Sequence, residues 1–128
     1  SLLLTYTKMG ATPMRGSKME NYVANTILAQ IKCGQDSHGN SGSHMMMCWA
    51  FQNPWGKTSD NDEGRGFLEF TVDGALFAGQ VKVTLGWDDL YMIEFIETNG
   101  NCITVLHEIY FDDLANVIDR NVENPKNV

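Results

Sequence analysis

At 128 residues the chain has the size of one ordinary domain and is too short for two. Its 43% apolar and 10% aromatic residues suffice for a packed core and argue against disorder, and no apolar run approaches the roughly 20 residues a membrane helix needs. The net charge of −7 arises wholly after residue 87, where nine acidic side chains face two basic ones, which argues against direct binding to nucleic-acid phosphates and suits a basic protein partner or, more simply, a solvated face.

Residues 1–18 show no clear period and read as an extension or a strand of uncertain status ahead of a single domain spanning 19–128. Ser17-Lys18-Met19-Glu20 fits a capping box, in which hydroxyl and carboxylate each take an orphan amide of a helix start. Met19, Val23, Ile27 and Ile31 recur four apart, with Tyr22 and Leu28 beside them. This spacing predicts a helix of about 15 residues closed by Gly34. Gln35 to His44 is a polar loop. Met45 to Phe51 is a continuous apolar or small run and reads as a strand buried on both faces, and Gln52 to Gly66 as a long loop.

From Phe67 the pattern is β. Phe67 to Val72 is a strand ended by the turn signal Asp73-Gly74, and Gln80 to Leu85 alternates with Val81, Val83 and Leu85 on one face. Leu90 to Glu97 and Cys102 to Glu108 flank Asn99-Gly100, which predicts a two-residue turn with positive φ at both positions. That turn sets Phe95 opposite Thr104 and Ile93 opposite Leu106, so that Tyr91, Ile93 and Phe95 face the core. The opposite face, with Met92, Glu94 and Ile96 against His107, Val105 and Ile103, is half apolar and calls for partial cover. A closing helix starts near Phe111 or Asp112, with Asp112 and Asp113 at its positive end and Leu114, Val117, Ile118 and Val122 as its buried stripe. Asn124-Pro125 ends it. The expected fold is α+β: an N-terminal helix, a meander of about five mostly antiparallel strands, and a C-terminal helix packed on the sheet.

Three segments together resemble a family of short proteins found in bacteria, phages and mobile elements: Ala24-Asn25-Thr26-Ile27-Leu28-Ala29-Gln30-Ile31, then Val81-Lys82-Val83-Thr84-Leu85 with Asp89-Leu90-Tyr91-Met92-Ile93-Glu94-Phe95, then Tyr110-Phe111-Asp112-Asp113-Leu114 through Val117-Ile118. The likeness keeps their order and covers roughly residues 22–122, with a longer Gln35–His44 loop here. The family carries no assigned activity, so the resemblance implies context alone: a small accessory protein of a mobile element.

Cys33, Cys48 and Cys102 are odd in number and lack paired spacing, which predicts free thiols, with Cys48 and Cys102 acting as small apolar strand residues. Cys33, His38, His44 and Cys48 are the zinc-ligand types that lie closest together, and two Cys with two His would close a tetrahedron. They lack a Cys-x-x-Cys knuckle, so no cofactor is expected and zinc is the minor reading. Asp60-Asn61-Asp62-Glu63-Gly64 holds half of a calcium loop without its closing ligand and reads as a solvated turn. His107 shares a face with Glu94, a pairing that could serve acid–base work, yet no nucleophile stands beside them and phosphate loops are absent. Trp55 and Trp87 fall in predicted turns, where they anchor a partner or fold back on the core.

These readings favour a non-enzymatic protein-interaction module, using Trp55, Trp87, Asp112, Asp113 and Asp119. A mobile-element accessory or anti-defence role is its specific form. The alternatives are a small metal-binding protein on the Cys/His loop and a small-ligand binder around His107 and Glu94. A cytoplasmic location is expected, because Ser1-Leu2-Leu3-Leu4 is too short for a signal core.

Overall fold

A computed structural model describes residues 22–35, 39–61 and 64–124, with the backbone alone at 59–61. Within them the chain is α+β, with helices α1 (Tyr22–Cys33) and α2 (Gly42–Cys48), and then strands β1 (Gln52–Asn61), β2 (Gly64–Asp73), β3 (Ala78–Leu85), β4 (Tyr91–Ile96) and β5 (Cys102–Ile109). A 3-10 turn (Phe111–Asp113) leads into the closing helix α3 (Leu114–Val122). The five strands form one antiparallel sheet in the order β1-β2-β3-β4-β5, a simple meander. The Ser17–Glu20 capping box, the 1–18 extension, His38, Asp62 and Glu63 of the calcium half-loop, and Pro125 lie outside the described residues.

Helix α1 buries Val23, Ile27 and Ile31 of the stripe that the spacing predicts, with Ala24 beside them, while Met19 lies outside the described residues. It packs on β1, β2 and β3 and touches α2 and α3. Gly56 of β1 makes that approach possible: a Cβ there would collide with the Phe67 carbonyl and with the Ala24 side chain of α1. Thr58 Oγ1 accepts the Val23 amide at 3.1 Å, taking one of the unpaired donors of the helix start and tying α1 to the edge strand.

Two expected elements differ from those observed. The run Met45–Phe51 is not a strand: Gly42–Cys48 is helical, and the chain leaves it through Trp49 and Ala50. Ser41 caps this helix, its Oγ accepting the His44 amide at 3.1 Å. Its end is a Schellman closure, with the Phe51 amide on the Met46 carbonyl and the Ala50 amide on the Met47 carbonyl, each at 3.1 Å. Ala50 takes the left-handed conformation (φ 55°) that glycine usually fills. Met45, Met46 and Trp49 face inward while Met47 and Cys48 are exposed, so a run without polar residues still has two sides. Periodicity carries no information in an unbroken apolar run.

The loop expected over Gln52–Gly66 is instead β1 and the start of β2. Its residues lack apolar alternation because β1 is an edge strand held by backbone pairing to β2, and Pro54 is accommodated where the register shifts between Gln52 and Trp55. Cys48 and Cys102 are exposed rather than packed apolar thiols, and Cys33 is exposed as well.

The β4–β5 hairpin keeps the expected pairs Phe95–Thr104 and Ile93–Leu106 through a different turn. Gly100 alone has a positive φ (94°); its amide bonds to the Glu97 carbonyl, and the Glu97 amide to the Asn101 carbonyl, both at 2.8 Å. A three-residue loop and an irregularity between Phe95 and Ile96 thus reach the same register. The β3–β4 connection repeats this geometry, with Asp89 in the left-handed place (φ 67°). At the far end of β5, Tyr91 pairs with Ile109 while Ile93 pairs with Leu106, so His107 and Glu108 together oppose Met92. This bulge, with Glu108 at φ 58°, turns Ile109 toward the core and spares Glu108 burial.

The core lies between the helices and one sheet face. Leu68, Phe70 and Val72 of β2, Val81, Val83 and Leu85 of β3, and Tyr91, Ile93 and Phe95 of β4 meet Ile27, Ile31, Leu114, Ile118 and Val122 of the helices. Trp49 is fully buried; its ring stacks on Phe70 at 6.4 Å and its Nε1 donates to Asp119 Oδ1 at 2.7 Å. At the C-terminus of α3 the Val122 carbonyl accepts the Leu76 and Phe77 amides, fastening the β2–β3 turn to that helix.

Candidate functional site

The second sheet face carries no helix among the described residues, and the registers align its side chains in a row across all five strands. Trp55 stands opposite Glu69, Glu69 opposite Lys82, Lys82 opposite Glu94, and Glu94 opposite Val105. A second row runs Lys57, Phe67, Thr84, Met92. Opposite charges in cross-strand positions stabilise such a surface modestly, by about 0.2–1 kcal/mol per pair.

Trp55 is the main feature of this face. It is 54% exposed, yet both ends of the indole are held. Its Nε1 donates to Glu69 Oε1 at 2.7 Å, and its ring meets the edge of Phe67 at 5.1 Å and 89°. Lys82 Nζ lies 4.6 Å from the Phe67 ring centre, a cation–π contact. The result is a fixed aromatic platform, continued toward β5 by Met92 and by the exposed Ile103 and Val105. Trp55 therefore sits on a strand rather than in the expected turn, and it does not fold back onto the core.

Trp87 does occupy a turn and is 56% exposed. Arg65 lies over its ring at 5.9 Å and pairs with Asp89 of the same turn. Beside this corner a cleft of about 370 Å³ is lined by Asp88, Tyr91, Met92, His107 and Glu108. His107 thus reaches a concave surface, but no hydrogen bond or ion pair joins it to Glu94, so the expected acid–base pair is not assembled. Tyr91 donates to Gln30 Oε1 of α1. Burial pushes the Tyr91 phenol above its ordinary pKa, a shift that Arg65 opposes, Asp89 reinforces and the bond to Gln30 opposes.

The acidic residues separate into two settings. Asp112 and Asp113 are exposed on the 3-10 turn beside exposed Tyr110 and Phe111, and Asp112 and Phe111 border an apolar cleft of about 490 Å³ against Thr26, Ala29 and Cys33 of α1. Asp119 is only 4% exposed and serves Trp49 inside the core. It is not a surface contact, because the helical stripe that buries Ile118 and Val122 turns Asp119 inward as well.

Of the zinc candidates, His44 and Cys48 lie one turn apart on α2 with Nε2 and Sγ at 3.9 Å. Cys33 lines the cleft that Phe111 and Asp112 border, whereas Lys32 lines another with Ser43 and Met46 of α2. Among the described residues no group of three or more His, Cys, Asp or Glu is arranged to hold a metal ion. No described helix is long and apolar enough to cross a membrane.

Compared with known proteins, the chain matches no family model, no curated protein and no solved structure. Sequence reasoning missed Phe67, Lys82 and Arg65, whose roles depend on which strand lies next to which. Two signals were legible: Trp55 as a conspicuous aromatic, and the half-apolar character of the face opposite Tyr91, Ile93 and Phe95.

Proposed function

We propose that this domain is a non-enzymatic protein-binding module that seats its partner on the open sheet face. The observation that carries the reading is Trp55: a large aromatic left half-exposed while Glu69 and Phe67 hold it in one orientation. An anchor fixed before binding loses little freedom on association, the property of hot-spot tryptophans. Glu69 and Glu94 on either side of Lys82 suit a partner that brings an apolar side chain flanked by basic groups. The family resemblance adds a context in which that partner is a host protein, and an anti-defence role, with the acidic domain occupying a nucleic-acid-binding groove, is the specific form.

A second reading places the partner on Tyr110, Phe111, Asp112 and Asp113 at the apolar cleft beside α1, where both acids are exposed while Glu69 and Glu94 of the first surface are half-buried. One experiment tests both. Wild type, Trp55→Ala and an Asp112→Lys/Asp113→Lys double variant serve as baits in host lysate, read by quantitative mass spectrometry. A protein held by wild type and by the double variant, and about thirtyfold weaker on Trp55→Ala, matches an anchor worth ~2 kcal/mol. Full retention by Trp55→Ala with loss in the double variant moves the site to the second surface. Retention by both ends the proposal.

A further inference from the structure

Helix α2 has an inner and an outer side, and the outer side carries three side chains with soft metal-binding atoms. His44 and Cys48 stand four residues apart, which brings them together one turn along the helix. The imidazole Nε2 and the thiol Sγ lie 3.9 Å apart. With metal–nitrogen and metal–sulfur bonds of about 2.0 and about 2.3 Å, two ligands meeting on one ion at about 110–130° are separated by roughly 3.5–3.9 Å. The pair is thus spaced for a shared ion without movement of the backbone. Both side chains are exposed, so an ion reaches them from solvent. Met47, three residues after His44, is 79% exposed, the highest value of any large apolar residue among those described. Met45 and Met46 of the same run are buried. The core accounts for those two methionines and gives no reason for the third.

The geometry points to a copper(I) site on the outer side of α2, with His44 Nε2, Met47 Sδ and Cys48 Sγ as its ligands. Among the described residues no third His, Cys, Asp or Glu joins His44 and Cys48, so the soft donor that completes the set is the Met47 thioether. A thioether is uncharged and polarisable, which suits copper(I) and adds little for a hard ion such as calcium or magnesium. Structural zinc takes four ligands from Cys, His and carboxylates, a set this side of the helix does not supply. The site differs from the Cys33, His38, His44 and Cys48 constellation: it gains Met47 and omits Cys33, which lines the cleft beside Phe111. All three ligands come from five consecutive residues of one helix, whose ends are fixed by the Ser41 cap and the Schellman closure. Little order therefore has to be gained on binding beyond the swing of the unbranched Met47 side chain. Cys48 binds as the thiolate, its proton passing to solvent as the sulfur–copper bond forms. The site belongs to the helical layer, apart from Trp55 and the open sheet face, so it stands independently of the partner-binding reading.

Anaerobic titration of the full chain with copper(I), kept reduced by ascorbate and in competition with the chromogenic chelator ferrozine, is the test. The chain is expected to take one equivalent from the chelator, with a thiolate-to-copper absorption band in the near ultraviolet rising to the same endpoint. Cys48→Ser and His44→Ala each weaken binding at least about tenfold, since even a residue that only supports a ligand costs that much. Met47→Leu weakens copper(I) binding about tenfold and leaves a zinc(II) titration unchanged, because the thioether serves the softer ion. A Cys33→Ser/Cys102→Ser double variant keeps the full equivalent. The three ligand side chains are exposed and the Ser41 cap uses only the backbone amide of His44, so each variant folds, which a melting curve without copper checks. A chain that takes no copper(I) from ferrozine overturns the inference, as does an equivalent that survives Cys48→Ser or His44→Ala. Undiminished affinity in Met47→Leu overturns the three-ligand site.

Discussion

The same three central strands present two different surfaces. On the helix-covered side, β2, β3 and β4 set nine apolar side chains, from Leu68 to Phe95, at 8% exposure or less. On the other side those strands alternate Phe67, Glu69 and Thr71 with Gln80, Lys82 and Thr84 and with Met92, Glu94 and Ile96, mostly half-buried by one another. Period-two alternation guarantees two faces and says nothing of what each one meets. The covered face obtains its stability from the helices above it. Among the described residues the open face gets no such return for its apolar groups, and Trp55 and Val105 there stay 54% and 42% exposed.

The largest expected difference between the faces is a core truncation against a surface one. Ile93→Ala removes a fully buried side chain and should cost about 2–5 kcal/mol in urea unfolding, in the range of other large-to-small core changes. A loss below about 1 kcal/mol would mean the covered face is far less tightly packed than the structure has it. Next comes Asp119→Ala, which strands the buried Trp49 indole donor and should cost about 1–3 kcal/mol. Trp49→Phe in the same background should recover part of that loss, since it removes the orphaned donor too.

Tyr91 sharpens the comparison through pH, because its ring belongs to the covered face while its hydroxyl reaches Gln30 at the margin. Its folded pKa lies above the ordinary value of 10.0, so the neutral phenol's contribution to stability is complete below that pH and is lost as pH rises through the folded value. Phenolate absorbance should show Tyr91 ionising above the ordinary tyrosine value, and Tyr91→Phe should flatten the alkaline fall in melting temperature. The smallest effect belongs to the open face: Val105→Ala should change unfolding free energy by no more than about 0.5 kcal/mol in dilute solution. A loss comparable to that of Ile93→Ala would show that the face is covered after all.

Legibility followed pattern strength. The stripe of α1, the strands from Phe67 onward, the inward faces of β3 and β4 and the stripe of α3 could all be read, because polar residues interrupt them at a definite period. Met45–Phe51 could not, since it lacks interruptions, and its helix is revealed by the Ser41 cap and the Schellman closure at Ala50. β1 could not, since an edge strand held by backbone pairing needs no apolar alternation. Of the site, Trp55 was legible as a conspicuous aromatic, but its setting was not: Glu69 and Phe67 reach it from another strand.

What this sequence determined by itself was the α+β class, the meander, the core faces of its best strands and the net charge of its last third. These rest on local propensity and on hydrophobic period, which act over a few residues. Tertiary structure alone decided that Asp119 serves the core and Asp112 the surface, that Trp55, Glu69, Lys82, Glu94 and Val105 form one row, and that His107 and Glu94 do not pair. Each depends on register between strands or on the direction a helix turns, and a single residue's shift in either moves a side chain to the opposite face.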